Sequence, residues 1–118
     1  MIVESCFPPF VESWPEAELD YEGLTGRVLK SPAGLTIFMA ADRDVVVPRH
    51  RHGAQWGIVL AGSMDLDIAG QQEHYTVGQS HYIPAGVDHE ATIYAGWRGM
   101  YVFDRSHSTD SYMKAQRA

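Results

Sequence analysis

The chain has 118 residues and a mass of 13.2 kDa, enough for one domain and too short for two. With 45% apolar and 20% charged residues it can build a packed core, and no apolar run nears the ~20 residues of a membrane helix. The net charge of −6 sits within residues 1–26, where Glu4, Glu12, Glu16, Glu18, Asp20 and Glu22 stand without a single Lys or Arg. Such an arm repels phosphate backbones and no basic stripe follows it, so neither nucleic acid nor a membrane is an expected partner.

In chain order, residues 1–26 read as an acidic N-terminal arm, 27–104 as the main body and 105–118 as a polar tail, all within one domain spanning 1–118. Cys6, the one cysteine, excludes an internal disulfide and a C-x-x-C zinc site. Together with an N-terminus that lacks a basic, then apolar leader, it points to a cytoplasmic protein. Phe7–Val11 is expected to be extended because of Pro8 and Pro9. Ser13–Leu19 is expected to start a short helix with Pro15 near its first turn. The apolar residues Phe7, Phe10, Val11, Trp14 and Leu19 suit packing on the body or on a second subunit.

From Gly26 the pattern becomes strand, turn, strand. Short β-branched or aromatic runs lie at 27–30, 35–40, 45–47, 56–60, 64–68, 74–77, 81–83, 90–94 and 100–103, divided by Gly- and Pro-containing turns. Met64, Leu66 and Ile68 alternate with Asp65 and Asp67, giving a buried and a wet face. Without a helix long enough for a parallel crossover, the sheets are expected to be antiparallel, in an all-β sandwich or barrel.

The first chemical signal is His50-Arg51-His52. Two histidines at i and i+2 of a strand share a face and can converge on one ion, with Arg51 pointing away, although two solvated histidines would read the same in isolation. Across 50–62 the pattern is H-x-H-x2-Q-x6-G, with His50, His52, Gln55 and Gly62. Across 78–89 it is G-x5-P-x-G-x2-H, with Gly78, Pro84, Gly86 and His89.

This pair of motifs, in this order, resembles the two motifs of the cupin family. The resemblance covers the chain from about Gly26 to Asp104 and implies a small antiparallel β-barrel of the jelly-roll type, also called a double-stranded β-helix. It implies one divalent transition metal (Fe, Zn or Ni) held by His50, His52 and His89, with Gln55 where the family carries Glu. Gln55 stands one residue closer to the histidines than that Glu, and the family's Asn after the second-motif histidine falls at Ile93. A neutral Gln55 leaves the ion's charge uncompensated, which favours an anionic ligand and lowers the pKa of bound water. Whether Gln55 ligates directly or serves as a pocket-wall amide is left open at this point.

Phe38, Trp56, His81, Ile93 and Tyr101 are the main candidates for a substrate pocket, with Ile58, Met64, Tyr82 and Phe103 as further candidates. His81 shares strand parity with Ile83 and can face the interior, and Tyr75 and Val77 read as an inward pair. His74 and His107 read as surface residues, and neither Asp88 nor Glu90 as a general base. The resemblance, with these ligands, implies a small metalloenzyme, dioxygenase- or isomerase-like, acting on a small anionic or enolisable metabolite. The alternative is a non-catalytic, metal-dependent binding or sensor module. A homodimer is expected, since small barrels leave sheet edges to be covered.

Overall fold

The computed structural model describes residues 7–104. Cys6, His107 and the polar tail lie outside them. A short helix, α1 (Pro9–Glu12), precedes nine strands: β1 (Leu24–Ser31), β2 (Gly34–Ala41), β3 (Val45–His50), β4 (Gln55–Ala61), β5 (Ser63–Ile68), β6 (Gln71–Thr76), β7 (Ser80–Ile83), β8 (His89–Ile93) and β9 (Arg98–Asp104). Each expected strand is found. All ladders are antiparallel, in sheets of order β1-β2-β9-β4-β7 and β3-β8-β5-β6.

The order follows from one long hairpin folded over on itself. Its tip is the β5–β6 turn, where Ala69 (φ 52°) and Gly70 (φ 89°) make the two-residue turn with positive φ at both positions that hairpins favour. Outward from the tip, β4 pairs with β7, β3 with β8 and β2 with β9. Successive pairs alternate between the sheets, giving the jelly-roll order. The ladders do not run from one sheet into the other, so the barrel expected from sequence is a pair of facing sheets rather than a closed cylinder.

Strand alternation fills the space between the sheets. Leu35, Ile37, Met39 and Ala41 of β2 face Met64 and Leu66 of β5, and Val59, Ile83, Ile93, Trp97, Tyr101 and Phe103 complete the core. Gly57 is needed there for its missing side chain: a Cβ would lie 2.2 Å from Cε1 of Tyr101. His74 is exposed and bonds Asp65 at 2.6 Å. Tyr75 packs against the core, but Val77 is 63% exposed, because β6 ends at Thr76 and the chain has begun its turn.

The N-terminal arm departs from expectation. Its helix forms at Pro9–Glu12, where Pro9 occupies the first turn and its missing N–H costs nothing. Residues 13–19 are instead non-helical. Trp14 precedes a proline and is biased away from helical backbone, and the next residues pair with β1: Val28 N–H donates to Pro15 and Ala17 N–H to Gly26, both at 2.9 Å. Phe7 and Trp14 pack edge-on against Phe38, at 5.1 and 5.6 Å between ring centres. Among the described residues no helix is long and apolar enough to cross a membrane.

Two substitutions test this packing. Gly57→Ala drives a methyl into the Tyr101 ring and is expected to cost about 1–3 kcal/mol in urea unfolding. Ala69→Asn suits positive φ better and is expected to raise the melting temperature by a few degrees.

Candidate metal centre

The nested pairing brings the two histidine motifs together. His50, at the end of β3, stands directly across from His89, at the start of β8, and their ring centres are 4.2 Å apart. The β3–β8 register shifts between Val47 and His50. Pro48 lies in that bulge, where its missing N–H breaks no ladder bond. His52 lies beyond the end of β3, not on a strand as expected, so the loop delivers it. There Gly86 N–H of the second motif donates to the His52 carbonyl at 2.9 Å, tying the two motifs through their backbones. The His52 ring sits 5.0 Å from His50 and 4.8 Å from His89.

One ligand atom from each of the three histidines lies within 4.8 Å of the others. Each Nδ1 is 2.8–3.0 Å from a backbone carbonyl: Pro48 for His50, Gly53 for His52 and Val87 for His89. A carbonyl only accepts, so in the neutral ring each Nδ1 carries the proton and each Nε2 presents its lone pair. The Nε2 of His89 is buried and without a hydrogen-bond partner. Burial pushes His89 down to about 4, helped by His50 and His52, and lowers His52 as well, so both rings are neutral at pH 7. The residues alternating with the ligands point outward and pair there, Arg51 with Asp88 at 3.1 Å and Arg49 with Glu90 at 3.0 Å and Asp67 at 3.2 Å. This removes Asp88 and Glu90 from the interior.

The rings open onto a cavity of about 80 Å³ between the sheets, lined also by Gln55, Met64, Ile93, Tyr101 and Phe103. Gln55 is 7% exposed, and its Oε1 is buried without a partner. Among the described residues no Asp, Glu, Lys or Arg lines this cavity. Three imidazoles with Nδ1 held on carbonyls and an unpartnered amide oxygen are the donors a divalent transition ion takes, so the residues fit such an ion.

Of the pocket candidates, Ile93 and Tyr101 line the cavity, as do Met64 and Phe103. Trp56 and Phe38 do not. Gln55 faces in, so its neighbour Trp56 faces out, between Tyr82 and Val102 of the adjoining strands. Phe38 alternates with inward Ile37 and Met39 and lies beneath the arm. Ile58 also falls outside the cavity lining, and Tyr82 is 59% exposed. His81 is 6% exposed but does not line the cavity, and burial, then His89, push it down to about 4.

Sequence reasoning missed Leu19 and Tyr21, which reach the cavity from the arm, and the carbonyl of Pro48. A proline two residues before the H-x-H run was the available signal for the bulge. A larger hollow of about 430 Å³ lies under the arm, lined by Glu12, Glu16 and Glu18 with Arg27 and Arg98. It contains none of the clustered histidines.

The neutral histidines fix a pH dependence. In the unfolded chain they take protons near 6.5, but in the fold His81 and His89 do so only near 4. Below about pH 6.5 the unfolded state binds more protons, so stability falls with pH and levels off near 4. Metal-free protein is expected to lose about 1–2 kcal/mol per buried histidine between pH 7 and 5, read by urea unfolding.

A search of curated protein sequences finds none that matches. Solved structures do. An RmlC-like cupin from Shewanella frigidimarina superposes with a TM-score of 0.74 at 23% identity, over 88% of this chain and 94% of that one. KdgF from a Halomonas species gives 0.66 at 18% identity, over 75% and 87%. A variant of oxalate decarboxylase from Bacillus subtilis gives 0.66 at 21% identity, over 76% of this chain and 27% of that larger one. At these identities the likeness speaks for the fold. The Cupin domain model matches residues 36–95, a span that holds both histidine motifs, and the chain belongs to the cupin family.

Proposed function

We propose that this protein is a metal-dependent cupin that binds a small anionic or enolisable metabolite at one divalent transition ion (Fe, Zn or Ni) and transforms it. His50, His52 and His89 hold the ion through Nε2, and Gln55 contributes its amide oxygen or binds a metal-bound water. The observation that carries this reading is the absence, among the described residues, of any charged side chain from the cavity lining. A divalent ion there keeps its full double charge in apolar surroundings, where an uncompensated charge is costly. An anion from solution is the compensating partner. Oxalate decarboxylase, among the proteins of similar fold, is named for a small organic anion.

A bound transition metal supplies Lewis acidity and, as iron, access to dioxygen chemistry. The chain's own contribution is steric and electrostatic. Three backbone carbonyls hold the imidazoles in the ligating tautomer. Ile93, Phe103 and Tyr101 exclude water and limit the substrate to a few heavy atoms. Among the described residues the cavity lining has no carboxylate to act as base, which also suits a second reading, a sensor or carrier that binds without turnover.

Metal analysis of protein purified without chelator or affinity tag tests the proposal. About one equivalent of metal is expected in the wild type and none in His50→Ala/His52→Ala. Metal-free wild type would overturn the reading. Gln55→Glu is expected to tighten metal binding and weaken anion binding, each about tenfold, or about 1.4 kcal/mol. Product from small enols or oxo-acids in the presence of the bound metal separates enzyme from sensor.

A further inference from the structure

The interior holds a second polar group for which the metal site has no use. His81 in β7 is 6% exposed, and neither of its ring nitrogens has a hydrogen-bond partner. A buried polar group without partners destabilises the fold, and an apolar ring would fill the same space without that cost. Its surroundings are aromatic, with Tyr75 at 5.0 Å and Tyr101 at 5.4 Å between ring centres.

Tyr101 is shared with the metal cavity. Its ring lines that cavity, and its hydroxyl donates to the Met64 sulfur at 3.6 Å, a weak acceptor. His81, Gly57 and Tyr101 stand side by side on three adjacent strands. Gln55 lies two residues before Gly57 on the same face, so His81 stands one row of side chains deeper than Gln55, about 7 Å along the strands. The missing side chain of Gly57 lets the two rings meet. Trp97, 6.3 Å from Tyr101, also has a buried Nε1 without a partner. His81 and Trp97 thus both flank Tyr101 with unpartnered polar atoms, and neither lines the cavity.

We propose that His81 is a specificity-determining residue of the metal cavity, hydrogen-bonding an uncharged oxygen at the far end of a short anion whose charged end sits at His50, His52 and His89. This assignment rests on the metal-and-anion reading above. A neutral imidazole offers one donor and one acceptor, which matches a hydroxyl or carbonyl group and gives no attraction to a second carboxylate. The substrate class is thus a short hydroxy- or oxo-monocarboxylate with its second oxygen remote from the carboxylate. Tyr101 is the partition that must turn to bring the two ends of the site into contact.

The isosteric pair 3-hydroxypropionate and butyrate tests this by calorimetry on the nickel-loaded full chain. Wild type is expected to prefer the hydroxy acid by at least about tenfold, since a site built to bond a hydroxyl rejects the analogue lacking it. His81→Phe is expected to abolish that preference while leaving nickel stoichiometry and butyrate affinity unchanged. Its metal-free form is expected to melt no lower than wild type, and His81→Gln to keep part of the preference. Equal affinities in nickel-loaded wild type, or a preference that survives in His81→Phe, would overturn the assignment and leave the metal reading intact. If His81→Phe does not fold, His81→Leu against His81→Gln makes the same comparison. Failure of wild type to take up nickel would overturn the metal reading and this assignment with it.

Discussion

The pairing of β3 with β8 is the constraint on which the site depends. It places His50 and His89 opposite one another although 39 positions separate them in the chain. The register cannot drift, because Val45 of β3 and Ile93 of β8 are both buried partners in the same ladder. A slip by one residue would turn every side chain of a strand to the other face, exposing the core and dispersing the ligands together. Folding and assembly of the centre are therefore one event. The β3–β8 ladder is in turn one of the nested pairs that extend outward from the hairpin tip at Ala69-Gly70.

Charge is sorted as strictly as hydrophobicity. Arg49, Arg51, Asp88 and Glu90 alternate with the ligands in sequence, yet their ion pairs all form on the outside. Such exposed pairs contribute little to stability, about 0–1 kcal/mol each. Their effect at the centre is exclusion: none of these carboxylates or guanidinium groups enters the cavity. Among the described residues the polar groups lining the cavity are all neutral, namely imidazoles, one amide and two phenols, so the lining itself holds no partner to balance the charge of an ion.

The strands were legible in sequence because alternation and turn residues are local signals, and the ligands because two motifs carry their own spacing. What the sequence hid was mostly parity. Gln55 and Trp56 are neighbours on one strand, and only one of them can face in; the large aromatic looked like the natural lining residue, yet the amide took the place. Phe38 was misplaced for the same reason, its outward position being stable only because Phe7 and Trp14 cover it. The helix at Pro9–Glu12 and the pairing of Pro15–Ala17 with β1 depend on tertiary contact, which prolines alone do not encode. His81 could be placed inside by parity, but its lack of partners could not be seen before the neighbours were known.

The three carbonyls that orient the ligands belong to Pro48, Gly53 and Val87, each within two residues of the histidine it serves. Each grip is thus carried by a short stretch of the chain, and the opposing walls of the cavity contribute nothing to it. Residues such as Met64, Ile93 and Tyr101 can then diverge among descendants, altering what fits between the sheets, while the lone pairs stay aimed at the same point. Change in the pocket wall is separable from change in the histidine cluster, so what fits between the sheets can vary while the three imidazoles keep their aim.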